Sequence, residues 1–247
     1  MSSIQQDFAI FDKFNFERKP VAVKYLYWKP EGIERLNKNM AICEMLKEAQ
    51  KGSPFYVTEE NFTCAGPRIL GMTDTPPTTA SGQKGVPLEV FKEARANRRV
   101  VSLVPTLARN TVNYVAFSTL DKLSLEPDVL IVTANVSQAE ILLRAMSFTT
   151  GEIWSSKITS IAGCAWLYIY PYITGKLNYT VTGLSFGMKA HEVFPEGLML
   201  ISIPFDLFPT MIQNLQDMKW VLRAYTEGRE ALMKRLDSLK SELSKKP

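Results

Sequence analysis

The side chains of this sequence best suited to chemistry are three cysteines, Cys43, Cys64 and Cys164. Thiolates are good nucleophiles and soft metal ligands, so three of them could meet around zinc, Cu(I) or an iron–sulfur cluster. Three ligands are one short of the usual four and would leave a coordination position for water or a substrate. No Cys-x-x-Cys pair is present, and that is the spacing that makes metal sites legible in a sequence. The cysteines therefore stand as metal ligands, as reactive thiols or as buried packing residues, and spacing alone does not choose among these.

Their settings differ. Cys43 lies within residues 40–51, where Ile42, Met45, Leu46 and Ala49 recur at helical spacing and Gly52 stands at the expected C-terminal cap. At about 100° per residue, Cys43 falls roughly 110° from the centre of that stripe, at the border of the core. Cys64 belongs to Asn61-Phe62-Thr63-Cys64-Ala65-Gly66-Pro67-Arg68, where Gly66-Pro67 forces a turn that presents a side chain. Arg68 follows closely enough to contact whatever the turn holds. Cys164 comes after Gly163 in a segment whose aromatics favour a strand but whose Trp166, Ile169 and Ile173 fit a helix. A helix starting near Gly163 is the preferred reading, and its N-terminal N–H groups would stabilise a thiolate there.

Other chemistry lacks its signature. There is no Gly-x-x-x-x-Gly-Lys phosphate loop, no Gly-x-Gly-x-x-Gly dinucleotide turn and no nucleophile elbow. With one histidine, His191, a His-rich zinc site is excluded, and the neighbouring Glu192 suggests a surface position. Arg95, Arg98, Arg99 and the basic C-terminal end could meet nucleic acid, but a formal charge of +4 over 247 residues is small, and a solvated helix face explains it equally well.

The elements that must position the cysteines can be read in outline. Val21 to Tyr27, Tyr114 to Phe117, Val129 to Val132 and Met199 to Ile203 read as strands, as does Val100 to Val104. Val129-Leu130-Ile131-Val132 is the best central strand, apolar on both faces. Pro87 to Arg99 and Leu207 to Asp217 read as helices. So does the segment after Ser137-Gln138-Ala139-Glu140, which matches a capping box. In an open, partly parallel sheet, ligands lie beyond the carboxyl ends of the strands, which puts Asn135 near a plausible binding site. Residues 73–85 carry the prolines, glycines and hydroxyls of an exposed, flexible loop, read as a flap over a ligand or as a plain connection.

The expected class is α/β or α+β, a mixed and partly parallel sheet flanked by helices. Residues 1–225 would form one domain. Residues 226–247 would form an amphipathic helix whose Leu232, Leu236, Leu239 and Leu243 pack on the body or at a homodimer contact. With 46% hydrophobic residues the chain can bury a sizeable core, and no apolar run is long enough for a membrane span. Met1 to Asp7 shows neither the basic start nor the apolar run of a secretory leader. The expected address is the cytoplasm, where thiols stay reduced, and the odd cysteine count agrees.

A broader likeness joins these features. Pro20-Val21-Ala22-Val23-Lys24, Cys43-Glu44-Met45-Leu46, Gly52, Phe55-Tyr56, Glu60 and Cys64-Ala65-Gly66 through Leu70-Gly71 resemble the uncharacterised ArCR family, a domain of unknown function. Gly163-Cys164-Ala165, residues 171–178 and Ile203-Pro204 extend the likeness over nearly the whole chain. It implies that cysteines at positions 43, 64 and 164 belong to one pattern, and it names no reaction. Two functional expectations follow. One is a three-cysteine zinc or 4Fe-4S site with an open coordination position, used in redox or cluster-assisted chemistry. The other is a non-catalytic small-ligand-binding or structural protein, in which residues 73–85 close over the ligand and the cysteines only pack. Arg68 and Asn135 are the candidate cofactor-binding residues.

Overall fold

A computed structural model describes residues 8–244 of the protein. The expectations about a leader at Met1 to Asp7 and about the last turn of the C-terminal helix, residues 245–247, lie outside the described residues.

Alternating and continuous apolar runs form β1 (Val21–Leu26), β2 (Phe55–Val57), β3 (Tyr114–Thr119), β4 (Val129–Ala134), β5 (Asn178–Val181) and β6 (Met199–Pro204). They make one sheet in the order β2-β3-β1-β4-β6-β5. Every strand pairing in it is antiparallel, which corrects the expectation of a partly parallel sheet. The reason is visible in β4, which is buried at all six positions. Val129 and Ile131 enter one core, and Leu130 and Val132 enter the other. A strand covered on both faces reads as a continuous apolar run whatever the direction of its neighbours, so the run reported two-sided burial and carried no information about direction.

Helices cover both faces. On one lie α1 (Ile42–Ala49), α2 (Gly66–Ile69), α6 (Gly163–Thr174) and α7 (Phe186–Ala190), with Met45, Leu46, Leu167 and Ile169 packed on β1, β3 and β4. On the other lie α5 (Val136–Ser147) and α8 (Phe208–Asp217), joined by the 3-10 turn Ala9–Phe14, whose Phe11 stacks on Phe208. The short α3 (Pro77–Ala80) and α4 (Ala94–Leu103) stand at the first face beside α2, and α9 (Arg223–Leu243) closes the described chain.

Four local expectations need correction. Val100 to Leu103 is the last turn of α4, not a strand. Its β-branched residues are tolerated there because strand preference yields to context, and the helix stops at Val104, where the following Pro105 disfavours helical backbone. That helix begins at Ala94, well after Pro87. Residues 73–85 are not free of regular structure: α3 and the 3-10 turn Gln83–Gly85 lie within them, and Asn97 Nδ2 donates to the Gly82 carbonyl at 2.7 Å. The capping box of α5 is formed two residues earlier than expected, by Asn135 and Gln138, each side chain accepting the other's backbone N–H at 2.9 Å.

In α9, Gly228 has non-helical angles (φ 80°, ψ 177°) and no residue is buried. Leu232, Leu236 and Leu239 are exposed, and Tyr225 at the helix start donates to Glu140 of α5 at 3.1 Å. No helix among the described residues is long and apolar enough to cross a membrane.

Because Ile131 is fully buried in an interior strand, Ile131→Ala should lower unfolding stability by roughly 2–5 kcal/mol through lost transfer energy and a residual cavity. Urea denaturation with an unchanged slope would verify this.

Candidate functional site

The three cysteines, about 120 positions apart at the extremes, are brought to one place by two helix starts and a turn. Cys43 is the second residue of α1 and Cys164 the second residue of α6, while Cys64 precedes α2. All three line one cavity of about 630 Å³. The expectation of a helix beginning at Gly163 holds.

Local sequence explains how the segments that carry Cys64 and Cys164 pack. At Gly163 an added Cβ would lie 2.4 Å from Ser185 Oγ, which also accepts the Gly163 N–H at 3.2 Å. At Gly66 a Cβ would lie 2.4 Å from the Phe62 ring. Glycine next to Cys164 and two residues after Cys64 is therefore a packing requirement that lets backbone meet side chain closely. The Ile42 peptide then ties the three segments together. Its N–H donates to Cys64 Sγ at 3.3 Å, and its carbonyl accepts the Tyr168 hydroxyl of α6 at 3.2 Å. Tyr168 is itself held from behind, since the Tyr25 hydroxyl donates to its carbonyl at 2.6 Å. Burial pushes both tyrosine hydroxyls well above the usual phenol range, so both serve as neutral donors.

The thiols are not equivalent. Cys43, 4% exposed, is held below the ordinary thiol range, chiefly by a hydrogen bond from Cys164 and against the opposing effect of burial. Cys164 is pushed well up by that same hydrogen bond, in which it is the donor, and then by burial. Cys64 is raised by burial, although its sulfur accepts two backbone N–H groups, from Ile42 and Gly66, each at 3.3 Å. Deprotonation therefore falls first on Cys43, next to the N-terminal N–H groups of an eight-residue helix, with Cys164 as the retained thiol.

Around the thiols the pocket is walled by Phe62, Ile161, Phe186 and Met188, and on its outer side by residues of 73–88, among them Thr73, Pro76, Lys84 and Leu88. The segment read as a flap thus overlies the cavity. Arg68 lines it too: the residue is 8% exposed, and its Nε has no hydrogen-bond partner. Burial alone lowers its affinity for a proton. His191 stands on the same wall, partly exposed, with Nδ1 3.7 Å from Glu44. Asn135 does not line the cavity. It caps α5 through Gln138, and the antiparallel sheet removes the argument that placed a ligand there.

Among the described residues, no three His, Cys, Asp or Glu side chains come together as a group that could hold a metal ion. The arrangement thus lends the zinc or 4Fe-4S expectation no support. Physically, Cys43 and Cys164 are engaged with each other, while the Cys64 sulfur is turned to two backbone N–H groups.

Sequence reading did not single out Asn97, Tyr168 or Ser185. An Asn between Arg95 and Arg98 reads as solvent-facing, yet Asn97 is 2% exposed and lines the pocket. Tyr168 is one of several aromatics in its helix, and nothing local marks it as the one that reaches Ile42.

Compared with known proteins, the chain matches a family model described as Uncharacterised ArCR over residues 9–214 of 247. No curated protein and no solved structure matches it.

The glycine contacts make a prediction about assembly of the site. Gly163→Ala should cost about 1–3 kcal/mol by overpacking against Ser185. Adding Ser185→Gly, which removes the two nearest of the three atoms the new methyl meets, should recover part of that loss in a thermal double-mutant cycle.

Proposed function

This chain belongs to the uncharacterised ArCR family, a membership that names no reaction, and we propose that it is a small-molecule-binding protein whose working groups are pocket thiols, with Cys43 as the thiolate. The observation that carries the reading is the lining of one 630 Å³ cavity by Cys43, Cys64 and Cys164. Of the three, Cys43 is the thiol held below its ordinary range, through its interaction with Cys164.

In this reading Cys43, as thiolate, meets the electrophilic or soft atom of the bound molecule. Cys164 keeps its proton and holds the charge on Cys43 through the S–H hydrogen bond. The two N–H groups on Cys64 fix that sulfur in the wall. Apolar side chains and the residues 73–85 exclude water from the ligand, which strengthens these polar contacts.

Selective alkylation tests this. With iodoacetamide and peptide mapping, Cys43 should be the first residue modified. The rate should rise with pH through a midpoint below the free-cysteine value of about 8.5. Cys164→Ala removes the hydrogen bond that lowers the Cys43 pKa, so the midpoint should move up and the rate at pH 7 should fall several-fold. A Cys43 that reacts no faster than an unfolded cysteine, or a midpoint untouched by Cys164→Ala, would contradict the reading.

The second reading is zinc or an iron–sulfur cluster, which suits three sulfur ligands but would require the three thiolates of the cavity wall to reorganise around it. Iron, sulfide and zinc analysis of anaerobically purified protein distinguishes the two. Stoichiometric metal lost in Cys43→Ala would support the second, and metal-free protein with an alkylatable Cys43 would support the first.

A further inference from the structure

The pocket contains a charge that the protein leaves uncompensated. Arg68 is 8% exposed, its Nε has no hydrogen-bond partner, and no carboxylate of the described residues forms an ion pair with it. The acidic groups on the same wall are otherwise placed: Asp74 is bonded to Arg109 at 2.9 Å, and Glu59 makes no ion pair with Arg68. Lys84, the other cation there, adds positive potential. A buried guanidinium without a partner costs stability, and such groups are paired in folded proteins unless a ligand supplies the partner.

A second orphan lies in the same cavity. Asn97 is 2% exposed, and its Nδ2 donates to Gly82, yet its Oδ1 accepts nothing. Because Nδ2 faces a carbonyl, the amide orientation is fixed, and the free atom is an acceptor awaiting an N–H or O–H.

From these two unsatisfied groups we infer that the occupant of the thiol pocket is a small organic carboxylate with an apolar body and a hydroxyl or N–H donor, its carboxylate on Arg68 and its donor on Asn97. The inference rests on the cavity being a ligand site, as proposed above. One guanidinium balances one negative charge, and its planar fork matches the two oxygens of a carboxylate. The body of the ligand would lie along Phe62, Ile161, Phe186 and Met188. The residues 73–85 would close it in, since Asn97 also holds Gly82 of that segment.

Calorimetric titration of the full chain with 3-phenyllactate and 2-hydroxyoctanoate, against their neutral primary amides and inorganic phosphate, tests this. At least one acid should bind ten-fold or more tighter than its amide and than phosphate. Arg68→Met should abolish that preference. The same variant should raise the melting temperature of the ligand-free protein by several degrees, because it removes an unpaired buried charge while keeping the apolar stem. Equal binding of acids and amides, no binding of either acid, tighter binding of phosphate, or a lowered melting temperature in Arg68→Met would each overturn the inference.

Alkylation separates its failure from that of the thiol reading. Preference of Cys43 for iodoacetate over iodoacetamide, lost in Arg68→Met, supports the carboxylate role. Reaction with iodoacetamide without that preference leaves the thiol reading standing and removes this one. Acid binding with an unreactive Cys43 does the reverse.

Discussion

The site depends on the peptide of Ile42. Its N–H is committed to Cys64 Sγ and its carbonyl to the Tyr168 hydroxyl, so one residue at the start of α1 fixes both the turn before α2 and the start of α6. The first N–H groups of a helix have no partner within the helix, and here one of them is satisfied by a sulfur. Tyr168 can serve this role because it is buried, neutral and anchored by Tyr25 from β1. The sheet thus sets the position of α6, α6 sets α1, and α1 sets Cys64.

That chain of hydrogen bonds explains the differences among the thiols. Cys43 and Cys164 occupy equivalent positions at two helix starts, and a shared proton cannot lie on both. Their interaction lowers Cys43 and raises Cys164, leaving Cys43 as the one thiol of the three held below its ordinary range. Apolar burial opposes ionisation at all three, so the hydrogen bond between the cysteines decides which ionises. The cavity wall leaves Arg68 Nε and Asn97 Oδ1 without hydrogen-bond partners; buried atoms of Gln50, Thr119, Arg144 and Thr180 share that lack, but none of those residues lines the cavity. Two such atoms on one cavity wall are a pair that a single bound molecule could satisfy.

Much of the scaffold was legible. β1, β3, β4 and β6, and the helices α1, α5, α6 and α8, carry apolar periods that burial imposes, and burial is local in its demand on a sequence. β2 and β5 were not, being three and four residues long and stabilised by neighbouring strands. Val100 to Leu103 misled because a valine pair favours a strand only when a sheet edge is there to receive it. The argument for a ligand near Asn135 depended likewise on strand direction, which the antiparallel pairings replace.

By itself, the sequence determined that three reduced cysteines sit beside glycines or helix starts, that Cys64 and Arg68 share one turn, and that β4 is buried on both faces. Each of these follows from residue type and near neighbours. Only the tertiary structure decided the strand directions, the lining of one cavity by the three cysteines, and the lack of partners at Arg68 Nε and Asn97 Oδ1. These depend on contacts between residues 20 to more than 120 positions apart, such as Ile42 with Tyr168. Partnership across such separations is set by packing of whole elements, and the residues near either partner do not encode it.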